Sequence, residues 1–125
     1  MVEQGLRGVE QGRAAFAYEQ VKYMAEQVGL RDKYATAAKK VPVLIKTNGL
    51  AQTLAFMQNR DEGYNELFEQ IDAWLRQKHF IEADSRTDLV EWVIQQPSNA
   101  YRHLTTETLA LMNWIRRFVD GLIST

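Results

Sequence analysis

Three lysines, Lys39, Lys40 and Lys46, flank an apolar run within Lys39–Phe56, which reads KKVPVLIKTNGLAQTLAF. An ammonium on a flexible stem meets phosphate as a mobile point charge and releases counterions. The chemistry such a cluster offers is sequence-independent contact with a polyanion. Arg102, Arg116 and Arg117 supply a second set of cations closer to the C-terminus. The alternative for either set is solvated surface charge, and for Arg116 and Arg117 an ion pair with a carboxylate such as Asp120. Trp74, Trp92 and Trp114 have flat faces on which bases can stack. Trp74 lies on a full apolar stripe and reads as core, whereas Trp92 and Trp114 each sit one step beside theirs.

Catalytic chemistry finds little to work with. His79 and His103 share no metal-ligand spacing. His103 and Glu107 stand four apart, a separation that can ligate a metal but reads better as an ordinary surface pair. Ser85, between Asp84 and Asp88, is better placed as a helix cap than as a nucleophile. Gly5, Gly8 and Gly12 follow no strand, so they form no phosphate-cradling loop. With no cysteine, thiolate metal sites, disulfides and thiol chemistry are excluded. No catalytic residue, metal site or cofactor is expected.

The elements that must position these side chains all read as helix. Ala14, Ala17, Val21, Met24 and Val28 step by three and four, with Phe16 and Tyr23 widening the face, and Gly29 follows as a stop. Leu30, Tyr34, Ala37, Ala38 and Val41 continue on a second helix. Pro42 either kinks that helix or opens a new one. Asn48-Gly49 tolerates left-handed backbone and marks a sharp corner before Leu50, Leu54 and Met57 restart the stripe. Tyr64, Leu67, Phe68, Ile71, Trp74 and Leu75 form the cleanest amphipathic pattern. Ser85 with Asp88 three residues on resembles a capping box for a short helix through Val93. Pro97 bounds it, and Ser98 is placed to cap a long last helix carrying Tyr101, Leu104, Thr108, Leu111, Ile115, Phe118 and Leu122. The expectation is an all-α single domain over residues 1–125, of about six helices, with long N- and C-terminal helices and a Pro/Asn-Gly corner between them. Residues 1–12, spaced with glycine, read as a loose N-terminal arm.

At 125 residues, 46% hydrophobic and 25% charged, the chain has ordinary globular usage. No apolar run approaches the roughly 20 residues of a membrane helix, nor does the N-terminus show the apolar stretch of a signal peptide. A cytoplasmic location is the expectation. The formal net charge of −1 hides an asymmetry. Residues 31–60 carry six basic side chains against Asp32 alone, and residues 61–99 carry nine acidic against three basic. A surface so divided can steer an anionic partner to one side and a basic partner to the other.

Lys39–Phe56 also resembles the signature of the small helical (Cmr-type) subunit of type III-B CRISPR RNA-guided effector complexes. The matching residues are Lys40, Pro42, Leu44, Ile45, Asn48, Gly49, Leu50, Gln52, Leu54, Ala55 and Phe56. A second block agrees: Tyr101-Arg102, Thr106-Glu107, Leu109 and Trp114-Ile115-Arg116-Arg117-Phe118. The resemblance spans the chain, through packing and corner motifs that carry no catalytic signature. It implies a non-catalytic structural subunit of an antiviral ribonucleoprotein, stacked in its minor filament and lining the groove for target RNA. Specificity there rests on guide–target pairing. The implied partners are the backbone and other subunits, guide and target RNA, and further copies stacked head-to-tail, with no membrane. Lys39, Lys40 and Lys46, then Arg102, Arg116 and Arg117, become the expected RNA contacts. A helical protein–protein adaptor that never touches RNA is the alternative, and a small metal-dependent hydrolase using the acidic middle a more distant rival.

Overall fold

The structure is a computed structural model that describes residues 2–81 and 87–123, with side chains from Gly8 onward. Six helices follow one another: α1 (Val2–Ala25), α2 (Arg31–Asn48), α3 (Leu50–Met57), α4 (Glu62–Gln77), α5 (Leu89–Ile94) and α6 (Ser98–Leu122). No strand occurs among the described residues. The all-α expectation therefore stands. Helix α2 is the hub, packed on α3, α4 and α6, while α1 lies against α6.

The local sequence explains most of these boundaries. Asp61 caps α4 by accepting from the Tyr64 amide at 3.0 Å, satisfying one of the donors a helix start leaves free. At the other end, Phe80 N–H bonds the Leu75 carbonyl and His79 N–H the Arg76 carbonyl, each at 3.0 Å. That paired closure needs a left-handed residue, and His79 supplies it with φ 64°. Asp88 caps α5, accepting from the amides of Val90 and Glu91. Ser85 lies outside the described residues.

Two details differ from the sequence reading, and a third is narrowed. Of the two alternatives for Pro42, a new helix start is excluded: it is buried inside continuous α2. A proline there forfeits a helical hydrogen bond, and the packed face formed by Tyr34, Ala38, Val41 and Ile45 holds the turn in place. Ser98 does not cap α6; Pro97 occupies the cap position and no side chain bonds there. Helix α1 begins at Val2, so helical backbone runs through the segment read as a loose arm. Glycine costs a helix interior about 1 kcal/mol each. Polar contacts from Glu10 and Arg13 to α6 tie this end of the helix down.

Leu50, Leu54, Met57, Leu67, Ile71, Leu104, Leu111 and Ile115 form the centre of the core. Trp74 is inside it, as its stripe predicts, whereas Tyr23 and Val28 are 60% and 74% exposed and do not extend the α1 face. Trp92 and Trp114 are only partly buried. Gly63 allows α4 to approach α2 closely, since a Cβ there would sit 2.4 Å from the Lys33 carbonyl carbon.

Candidate nucleic-acid interface

The charged groups fall into two environments. The first is a polar knot where α1, α4 and α6 meet. The guanidinium of Arg13 donates through Nε and Nη2 to both carboxylate oxygens of Glu107, at 2.8 Å each, and through Nη1 to Glu10 at 2.7 Å. The indole N–H of Trp74 donates to Glu107 at 2.8 Å. Phe16 packs on Trp74 at 5.0 Å and Lys78 Nζ lies 5.1 Å from its ring centroid. Glu107 is 8% exposed, so it is not the surface partner of His103 that its spacing suggested. The hydrogen bonds from Arg13 hold its carboxyl below the ordinary glutamate value, outweighing burial, with the Trp74 bond acting in the same direction. The same hydrogen bond to Glu107 raises Arg13. Among the described residues, no group of three or more metal-ligating side chains comes together. The carboxylate is occupied with structure.

The second environment is the corner between α2 and α3. Gly49 takes φ 89° and ψ 161°, open to glycine and strained for other residues. Its amide bonds the Ile45 carbonyl at 2.9 Å, and its carbonyl accepts from the Thr53 hydroxyl at 2.8 Å. Helix α3 has no local side-chain cap. The Tyr101 hydroxyl, reaching across from α6, accepts from the Ala51 amide at 3.0 Å instead. It also sits 3.3 Å from where a Cβ on residue 49 would be. Turn and long helix are locked together by one phenol.

The corner displays cations. Lys39, Lys40 and Lys46 are all exposed along α2, and so are Arg102, Arg116 and Arg117 along α6. Among the described residues none of the six stands within ion-pair distance of a carboxylate, so Arg116 and Arg117 do not pair with Asp120. Lys39 and Lys46, seven apart, share one helical face about 10 Å apart along the axis, while Lys40 lies some 100° round the helix. The arginines do not form one cluster. Arg102 lines a recess with Tyr101, Thr105 and Gln96 at the start of α6. Arg117 lines a groove with Glu10, Asn113 and Trp114 against α1. Trp114 is not a free platform: it stacks on Phe118 at 5.7 Å, and its indole N–H reaches Glu10 at 3.2 Å. Fourteen residues of helix separate Arg102 from Arg116, about 21 Å. Of the two sets, only the lysines gather on one short stretch of helix.

Arg60, outside the cations singled out from the sequence, lies just past the C-terminal end of α3, with its guanidinium carbon 5.0 Å from the centre of the Phe56 ring. Helix α3 has ended at Met57 and Asn59 takes φ 62°, so no helical spacing in the sequence could have announced this contact. The acidic segment lies on α4, directly against basic α2; Glu62 and Glu69 are exposed there, and Asp72 pairs with Arg76 at 3.0 Å. No helix among the described residues is long and apolar enough to cross a membrane.

Comparison with known proteins agrees with this architecture. Residues 9–122 match the family described as CRISPR-associated protein (Cas_Cmr5). A curated relative from Thermus thermophilus, the CRISPR system Cmr subunit Cmr5, is 33% identical over 111 residues, covering 86% of this chain and 89% of its own length. The crystal structure of a CRISPR-associated Cmr5 family protein from Thermus thermophilus superposes with a TM-score of 0.79 at 33% identity, covering 93% of this chain and 97% of the other.

Proposed function

The chain belongs to the Cmr5 family of CRISPR-associated proteins, and from that premise we propose that it is a non-catalytic structural subunit of a Cmr-type, type III-B RNA-guided effector complex. In this reading it stacks with further copies in the minor filament and presents the α2 face of Lys39, Lys40 and Lys46 to the groove that holds target RNA. The observation that carries the RNA-facing part is the contrast in pairing. Arg13 is bound to carboxylates, whereas the three corner lysines are exposed, with no carboxylate at ion-pair distance among the described residues. Unpaired lysines on a rigid helix suit phosphate contact, in which the ammonium replaces the counterions along the strand. Nothing in the described arrangement supports catalysis: Glu107, the buried carboxylate among the described residues, is spoken for by Arg13 and Trp74.

The charge division also supports a head-to-tail contact between copies, with the α2 face of one against the α4 face of the next. Such heterologous contacts propagate as open filaments. Self-association that weakens as salt rises agrees with this contact; salt-independent association contradicts it.

The RNA-facing role is tested by titrating labelled single-stranded RNA of about 40 nucleotides with the purified chain over a salt series, beside a Lys39/Lys40/Lys46→Ala variant. The expected result is salt-dependent affinity whose logarithmic slope drops by about 2 in the variant, some 0.7 per lost contact to a single strand. Binding indifferent to the three lysines, or none, favours a helical adaptor whose basic face meets an acidic protein.

A further inference from the structure

A groove of about 240 Å³ runs along the hairpin of α2 and α3, lined by Leu44, Asn48, Gln52, Thr53 and Phe56. We propose that it holds one unpaired base of a single-stranded RNA, whose flanking phosphates meet Lys40 and Arg60. The inference rests on the RNA-facing reading and adds a base contact to a face otherwise argued to meet only backbone.

Two observations at the groove favour a nucleotide. Phe56 is 41% exposed and lines the groove with Arg60 over one side of its ring; a base stacks on the side left open. Asn48 and Gln52 are exposed, and among the described residues their carboxamides make no hydrogen bond. Each carboxamide offers both a donor and an acceptor, the combination that meets the polar edge of an unstacked base. Thr53 contributes no free hydroxyl, because its Oγ1 donates to the Gly49 carbonyl.

Cations flank the same line. Lys40, Leu44 and Asn48 follow one another at intervals of four along a single face of α2, so Lys40 stands one turn beyond the groove. On the α3 side Arg60 stands over Phe56, where it can stack as well as carry charge. A purely apolar partner would leave the two carboxamides and both cations without use.

The pocket is held open independently of any ligand. Gly49 sets the corner and Tyr101 fixes the start of α3. Phe56 is braced edge-on against Tyr64 at 5.4 Å between centroids.

The test uses the intact chain with two labelled strands of equal length, oligouridine and a ribose-phosphate strand lacking bases. Wild type is expected to bind oligouridine about tenfold more tightly, the worth of a single stacked base. Phe56→Leu keeps apolar bulk beside Tyr64 and is expected to erase that preference without changing affinity for the baseless strand; Gln52→Ala is expected to reduce it. Arg60→Gln should weaken both strands alike. Equal affinity of wild type for the two strands, or a preference unchanged by Phe56→Leu, overturns the base pocket and leaves the backbone contacts standing. No binding of either strand overturns the pocket and the RNA-facing reading together.

Discussion

The knot at Arg13 and the corner at Gly49 use charge in opposite ways. In the knot, a guanidinium and a carboxylate are withdrawn from water and bound to each other and to an indole. On α2, the helix that leads into the corner, three lysines remain exposed, while the turn itself is fixed by Gly49 and Tyr101. A charge fully bonded inside the chain has little left to offer a partner. A solvated charge on a stiff helix contributes little to folding and remains available for binding. The difference ties the charges of one region to the fold and leaves those of the other solvated, which is why recognition is proposed at the second.

The largest way to break that division is at the knot. Arg13→Ala leaves Glu107 buried without its cation and should cost about 3–5 kcal/mol of unfolding free energy, measured by denaturant titration. The folded fraction should bind RNA as wild type does. Acid sharpens the same point. Because Glu107 titrates below its ordinary value of 4.5 when folded, its contribution is fully present above that value. It is lost as pH falls through the lower folded value. The wild-type melting temperature should therefore drop more steeply below pH 4.5 than that of Glu107→Gln.

Effects at the corner should be smaller. Gly49→Ala forces a side chain into left-handed backbone and toward the Tyr101 hydroxyl, at a cost of about 1–3 kcal/mol. Tyr101→Phe removes the acceptor for the Ala51 amide and should cost about 1 kcal/mol. The two substitutions together should be non-additive, since they touch one contact. Smallest of all, each of Lys39→Ala, Lys40→Ala and Lys46→Ala should change stability by less than about 0.5 kcal/mol. A larger loss would give these lysines a structural role and blur the contrast.

How much of this the sequence shows follows from how local each cause is. Periodicity places the helices because it reports which face is buried, and Trp74 falls inside for that reason. The Asn48-Gly49 corner is legible because left-handed backbone needs particular residues. Pro42 is legible only as a choice between an interior proline and a new start, because burial of the α2 face around it decides between them. The knot is hidden as well: Arg13 and Glu107 are 94 residues apart, and a spacing rule sees only His103 four positions away. Likewise the cap of α3 comes from Tyr101, 50 residues beyond the amide it accepts from. The lysines stand out in composition, but only the fold separates them from Arg102 and Arg117, which line other recesses, and sets Arg60 over Phe56.

The most direct measurement of the central claim is photo-crosslinking of the assembled effector complex on target RNA, with adducts mapped by mass spectrometry. RNA adducts are expected on α2 and α3, around Lys40, Phe56 and Arg60, and none on the exposed acidic face of α4. RNA adducts on α4, or a corner crosslinked to neighbouring protein alone, would contradict it.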